Sequence, residues 1–356
     1  MAASRHSRVQ LAIEGVDISD TINKDLISLR YTDSEEDEAD DLQITLHDRE
    51  GRWMTAWLDD ALIAQLNTDA NVQKTTGLAI AASIICINWT KPGEMMKLDC
   101  GRFALDSISA AGPPATVTIK AVSLPDKSGI RTTKCSKSWE YYKLSGVGKE
   151  IATRAGMGYI FDSGYDPSFA QKEQNEQTDI AFLKRLCNDA GCSLKISHGK
   201  VIIFDQSKYE NHAAVATINK GDGSYSRYDL RSSQSDTKYT NCIVRYLSPS
   251  TGELIEGEAR AEDYKEDGDQ RALVVSSQRV SSAGEAQTLA DKLLRMKNKF
   301  EKSGRFTLIG NPSLVASEVL QLAGWGAFNG RYVIKRTTHS VSGGGYTTDI
   351  ELRNVL

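Results

Sequence analysis

The stretch NEQTDIAFLKRLCNDAGCSLKI, Asn175 to Ile196, decides how the rest of the chain is read. Ile180, Leu183, Leu186, Cys187 and Ala190 recur at helical spacing and form one apolar stripe. Thr178 stands at the N-cap position, Asp179 suits the positive end of the helix dipole, and Gly191 is placed to end the helix. Beyond that glycine the period becomes alternating. Leu194 and Ile196 interleave with Ser193, Lys195 and Ser197, and HGK at 198–200 turns the chain into VIIFD. A helix followed by a β-hairpin is predicted, with an apolar face aimed at another part of the molecule. Its two cysteines lie in apolar surroundings and read as packing rather than chemistry.

Upstream of this unit, KLSGVGKEIATRAG places Leu144, Val147, Ile151 and Ala155 on one helical face, closed by Gly156. YIFD follows as a strand, then a polar segment rich in Gln and Asn. Residues 127–209 therefore read as a small α+β module. Residues 1–126 are β-rich: Val9, Leu11 and Ile13 alternate, as do Leu42, Ile44 and Leu46, then Val117, Ile119 and Ala121. Turn chemistry separates them at Glu14-Gly15, around Pro92-Gly93 and in AAGPPA, and RWMTAWLDDALIAQL reads as a short helix. The apolar run LAIAASIICINW, Leu78 to Trp89, is too short to span a bilayer and is predicted as a strand buried on both faces. Residues 210–356 return to β structure with one strong helix packed alongside. Ser282 and Glu285 form a capping box, and Ala286, Leu289, Leu293, Met296 and Phe300 carry its stripe to Gly304. The fold class expected is α+β and mostly β.

Bulk composition narrows the function classes. Lys and Arg number 43 against 47 Asp and Glu, a formal net charge of −4, so no basic excess points to nucleic-acid sequence recognition. Glu14 interrupts any apolar core of a secretory leader. With no such leader, the six scattered cysteines read as reduced core thiols of a protein made in a cytoplasm. They show no zinc-ligand spacing, and Cys187 and Cys192 have no second pair to complete four ligands.

The densest charge feature, DSEEDEADD from Asp33 to Asp41, lacks the central glycine of a calcium loop and reads as a solvated loop between strands, able to meet a basic partner. SGVGKE at 145–150 lacks the gap and the hydroxyl of a phosphate loop. His6, His47, His198, His212 and His339 are dispersed, with His198 in a hairpin turn. Acidic residues are numerous, yet no context marks a glycosidase pair. No catalytic residue, cofactor or metal ligand is assigned. GWGAF, Gly324 to Phe328, reads as an exposed aromatic turn, and Trp325 and Phe328 either contact a partner or close a barrel.

The helix–hairpin also carries a resemblance. It is similar to a segment of baseplate hub proteins of contractile phage tails, the late control protein D family, and of the related N-terminal part of type VI secretion spike proteins. The matching positions are Glu176, Asp179, Phe182, Leu183, Arg185, Leu186 and Gly191. GNPSLVASEVLQLAGWGAFNGRYVIKRTTHSVSGGGYTTDIEL resembles that family's C-terminal β region, and CGRFALDSISAAGPPATVTIKAVSL the end of its first barrel.

The resemblance implies two tube-like β-barrel domains, 1–126 and 210–356, around the α+β module. It implies a homotrimer whose six β domains form a pseudo-sixfold ring adapting a sixfold tail tube to a trimeric central spike. Implied partners are the spike, the tube protein, the tape-measure protein in the lumen and other baseplate proteins, in the baseplate of a phage tail or a tail-like bacteriocin, without membrane insertion. Because the sequence stops at Leu356 with no needle, a spike made as a separate polypeptide is expected. Two other readings stand beside this one: a tail-tip cell-wall-degrading enzyme, and the hub portion of a secretion spike. The first and last β regions are predicted to share a fold despite showing no sequence repeat.

Overall fold

Among the described residues, alternation in the first region builds seven strands: β1 (His6–Ile13), β2 (Val16–Asp17), β3 (Leu26–Ser34), β4 (Asp41–His47), β5 (Ala79–Ile87), β6 (Met95–Ala111) and β7 (Thr116–Val122). The coordinates come from a computed structural model and describe residues 4–36, 38–54, 79–123, 129–233, 237–249, 251–266, 268 and 271–356. Strand order is β3-β4-β7-β6-β5-β1-β2, antiparallel throughout. The inward set Val9, Leu11, Ile13, Leu42, Ile44, Leu46, Val117 and Ile119 is buried in one core, into which helix α1 (Ser19–Asp25) inserts Ile22. Strand β5 departs from expectation. Ile80, Ala82, Ile84 and Cys86 are buried, but Ala81 and Ile85 are only half-covered, because an antiparallel sheet here packs on one side alone. Beyond Met54 the helix expected in RWMTAWLDDALIAQL lies outside the described residues.

In the middle region, β8 (Lys134–Lys143) is followed by α2 (Leu144–Arg154), β9 (Gly158–Asp162), β10 (Ser168–Thr178), α3 (Asp179–Asp189), β11 (Ser193–Ser197) and β12 (Lys200–Phe204). Strands β11, β12 and β9 form one small sheet, with β12 and β9 parallel. The hairpin β11–β12 turns on His198 and Gly199, both left-handed, the backbone a tight hairpin needs. The polar segment after YIFD is a strand, β10, paired with β8 in a two-stranded ribbon. It shows no apolar alternation because neither strand is buried along its length.

The last region holds α4 (Gln206–Glu210), β13 (Ala216–Asn219), β14 (Tyr225–Ser232), β15 (Asn241–Leu247), β16 (Leu254–Arg260), β17 (Ala272–Val275), α5 (Ala283–Asn298), β18 (Lys302–Ile309), β19 (Val319–Ala323), β20 (Gly330–Ser342) and β21 (Gly345–Asn354). Helix α5 packs not on the large sheet of its region but on the small sheet β16-β15-β17. Ala286, Leu289, Ala290 and Leu294 join Phe182, Leu183, Leu186 and Cys187 of α3 in the middle core, together with Cys242 and Val244 of β15. The reason is topological: β15–β17 and α5 form an insertion between β14 and β18, which are themselves hydrogen-bonded neighbours. A separate core of Phe306, Leu308, Leu320, Leu322, Tyr332, Ile350 and Leu352 serves the remaining strands.

Those remaining strands run β14-β18-β21-β20-β19-β13. In chain order this repeats β3-β4-β7-β6-β5-β1 strand for strand. Two β-bulges coincide as well. The register slips between Leu26 and Ser28 and between Tyr225 and Arg227, and again between Leu105 and Ser107 and between Ile334 and Arg336. Such bulges are structural features, not noise. One difference is that β1 joins β5 antiparallel whereas β13 joins β19 parallel.

Candidate assembly interface

The two β regions meet edge to edge. Residues 336–342 of β20 pair antiparallel with residues 28–34 of β3, with His339 opposite Tyr31, so β14-β18-β21-β20 and β3-β4-β7-β6 form one eight-strand wall. The wall face opposite the cores is polar. Thr32 lies 3.5 Å from Thr338 across the joint, Thr45 3.4 Å from Thr118, and the Thr307 hydroxyl donates to Asp349 at 2.5 Å. Arg305 pairs with Glu351 at 2.9 Å. These are cross-strand pairs on neighbouring strands, the contacts that hold register on an exposed sheet face.

Behind the joint, the acidic run turns inward. Asp33, Glu35, Glu36 and Asp40 are all buried, which corrects the expectation of a solvated loop. Each finds a distant partner. Arg353 of β21 grips Glu35 with two bonds of 2.6 and 2.7 Å and reaches Glu210 at 2.8 Å, with Arg353 and Glu35 both fully buried. Glu36 is paired with Lys299 and accepts from Ser193 at 2.6 Å. Lys195 reaches Asp33 at 2.6 Å, and Ser197 donates to Asp40 at 2.6 Å. The β3–β4 turn is thereby clamped to the hairpin β11–β12, to the end of α5 and to β21. A buried ion pair adds little net stability against an apolar replacement, but losing one partner leaves an uncompensated charge. Its effect is to fix one relative placement of the three regions.

Titration follows from this burial. Burial raises the Asp40 carboxyl to about 7, with Lys195 opposing and Asp33 reinforcing the shift. Burial works the same way on Glu36, yet Lys299, with Ser193 and Arg353, outweighs it and holds that carboxyl below its ordinary value. His339, buried beneath the joint, is pulled down to about 4 by burial. Its neutral ring suits its partners: Nε2 lies 3.0 Å from the Leu314 carbonyl oxygen, and Nδ1 2.7 Å from the Tyr346 hydroxyl.

The motif residues of the helix–hairpin have structural positions. Phe182, Leu183 and Leu186 are buried, and Phe182 stacks on Trp139 at 5.9 Å. Asp179 accepts from Arg154 and from Gln174, the latter at 2.9 Å. Arg185 donates to the Glu173 carbonyl at 3.0 Å and lies over the Phe182 ring. Glu176 takes a left-handed backbone while its N–H donates to Ser136. Gly191 is left-handed too, and a Cβ there would stand 2.5 Å from Cβ of Lys292. Cys187 and Cys192 are buried, reduced thiols. Among the described residues no group of His, Cys, Asp and Glu is placed to hold a metal ion. Trp325 is not the exposed turn residue expected. It is 7% exposed, packs on Tyr225, Tyr228 and Phe306, and donates from Nε1 to the Ile218 carbonyl at 3.0 Å, while Phe328 is half-buried. Missed altogether were Arg353, Lys299 and Lys195, because nothing local marks a cation whose partner lies far away in sequence.

No family model matches the chain. It is 24% identical to the probable baseplate hub protein of Escherichia phage P2 over 248 residues, spanning 67% of this chain and 55% of that one. It is 22% identical to the probable baseplate hub protein of Escherichia phage 186, spanning 96% of this chain and 91% of the relative. The 43 kDa tail protein of prophage MuSo2 from Shewanella oneidensis shares the fold at TM-score 0.65 and 13% identity, covering 97% of this chain and 98% of its own. A type VI secretion component of E. coli superposes at TM-score 0.52 and 9% identity, over 97% of this chain and 77% of its own. The resemblance to baseplate hub proteins therefore holds, and the α+β, mostly β fold is that of phage tail proteins.

Proposed function

We propose that the chain is a structural baseplate hub in which three copies close into a ring of six similar β units. Residues 1–126 and 210–356 each supply one unit, and 127–209 the module between them. The observation that supports this most is the repeated connectivity with coincident bulges, joined edge to edge inside one chain. One joint is already made within the protomer, so three protomers need three more to close. A ring of six near-equivalent units presents a sixfold surface to a tail tube. Its true threefold repeat matches a trimeric spike on the other side. The polar wall face suits a lumen that passes a tape-measure protein without binding it. The particle is a phage tail or a tail-like bacteriocin, assembled in the bacterial cytoplasm with the spike, tube and other baseplate proteins. On this reading the chain performs no catalysis.

Sedimentation with light scattering tests the ring. The expected species has three times the 39.1 kDa chain mass. A monomer at every concentration, with the spike protein present, would overturn the proposal.

A further inference from the structure

The eight-strand wall ends in two unpaired edges, and each is the counterpart of a strand already paired at the internal joint. Among the described residues β14 has no neighbour on its outer side, and neither has the end of β6 from Ser107 to Ala111. The bulges set the correspondence residue by residue: Ser107 with Arg336 in β6 and β20, Ser28 with Arg227 in β3 and β14. At the internal joint Thr337 faces Asp33, Thr338 faces Thr32, His339 faces Tyr31 and Ser340 faces Arg30.

Resting on the ring reading above, we propose that β6 of one copy pairs antiparallel with β14 of the next in this same register. Ile108 then faces Ser232, Ser109 faces Arg231, Ala110 faces Leu230 and Ala111 faces Asp229 of the neighbouring copy.

Exposure supports the assignment. At the internal joint the core-side residues Thr337, His339 and Tyr31 are 0–3% exposed. At the free edges Ile108 is 37% and Tyr228 47% exposed, apolar side chains on that same side of the sheet. An open edge flanked by apolar residues is an aggregation hazard unless something pairs with it. Charge does not oppose the pairing, since Arg231 and Asp229 meet the small neutral residues Ser109 and Ala111. Beyond Gly112, Pro113 and Pro114 have no N–H to donate, so the pairing ends there. Each copy offers one edge of each kind, a head-to-tail arrangement that leaves no edge exposed once the ring closes.

Opposite residues on paired strands bring their Cβ atoms within disulfide reach. The test is a full-length Ser109→Cys/Arg231→Cys chain oxidised with copper phenanthroline and run on a non-reducing gel. Covalent dimer and trimer are expected, with nothing larger. Neither single variant should cross-link, and nor should the off-register pair Ser109→Cys/Asp229→Cys. A preparation that sediments as a trimer but forms no disulfide between positions 109 and 231, or links the off-register pair better, would overturn this joint and leave the ring standing. A chain that stays monomeric and uncross-linked at every concentration would overturn both.

Discussion

Replacing Arg353 by Met isolates the clamp behind the joint. The wild-type guanidinium makes two bonds to Glu35, one to Glu210 and one to the Asn354 carbonyl. In the variant Glu210 keeps Arg295, whereas Glu35 loses its only ion-pair partner among the described residues. A carboxyl stranded in a core takes up a proton instead of staying charged. At pH 7 that costs about 1.4 kcal/mol for each unit by which pH exceeds the solution value of a glutamate, so about 3.7 kcal/mol. Lost hydrogen bonds to the other two acceptors add about 1 kcal/mol, within the range of roughly 3–5 kcal/mol for breaking a buried pair. The folded variant then holds a proton that the unfolded chain releases above about pH 4.3. Its deficit therefore shrinks as pH falls, by about 2.7 kcal/mol between pH 7 and pH 5. The first urea transition, followed by tryptophan fluorescence at both pH values, measures it. Adding Glu35→Met should recover most of the loss. A deficit under about 1 kcal/mol, or one that does not change with pH, would show that Glu35 is not desolvated in the folded chain.

Other predictions use different parts of the molecule. Asp40 is raised to about 7 by burial, so the folded chain binds its proton more tightly than the unfolded one, and the stability it contributes below about pH 4 is lost as pH rises toward 7. Asp40→Asn should therefore gain on wild type as urea midpoints are compared from pH 5 to pH 8; parallel profiles would refute this. His339 has the opposite sign. Lowered to about 4, it contributes stability above about pH 6.5 that is lost as pH falls toward 4, and His339→Gln should flatten that limb of the profile. Gly191→Ala meets both a left-handed backbone and the Lys292 side chain, while Gly199→Ala meets only the backbone. Thermal denaturation should show a loss of about 1 kcal/mol at position 199 and clearly more at 191.

Legibility in the sequence followed the range of the interactions. Strands such as Val9-Leu11-Ile13 and Leu42-Ile44-Leu46, and helix α3 with its cap and its terminal glycine, were readable because their determinants sit within a few residues. The ribbon β8–β10 was not, since both strands are polar and only their mutual hydrogen bonds define them. The acidic run misled for the same reason. Its cations lie far along the chain, and without Arg353, Lys299 and Lys195 in view a dense negative segment reads as solvated. Helix α5 was legible as an element packed alongside strands of its region, but that it also joins the core of the middle module was not, because a periodic stripe says that a face is buried but not against what. The shared fold of the two β regions was expected from the family resemblance alone, since the duplication survives in connectivity and bulges and leaves no repeat in the sequence.

The β3–β4 turn and the β14–β18 insertion occupy equivalent positions in the two repeated units. One is a short acidic hairpin folded inward, the other a lobe of three strands and a helix. At this position one unit is elaborated and the other is not, while the wall strands keep the same course in both. In a closed assembly of the proposed kind the inner bore would look nearly hexagonal, whereas these lobes would stand at alternate corners, giving outlying components a triangular set of handholds.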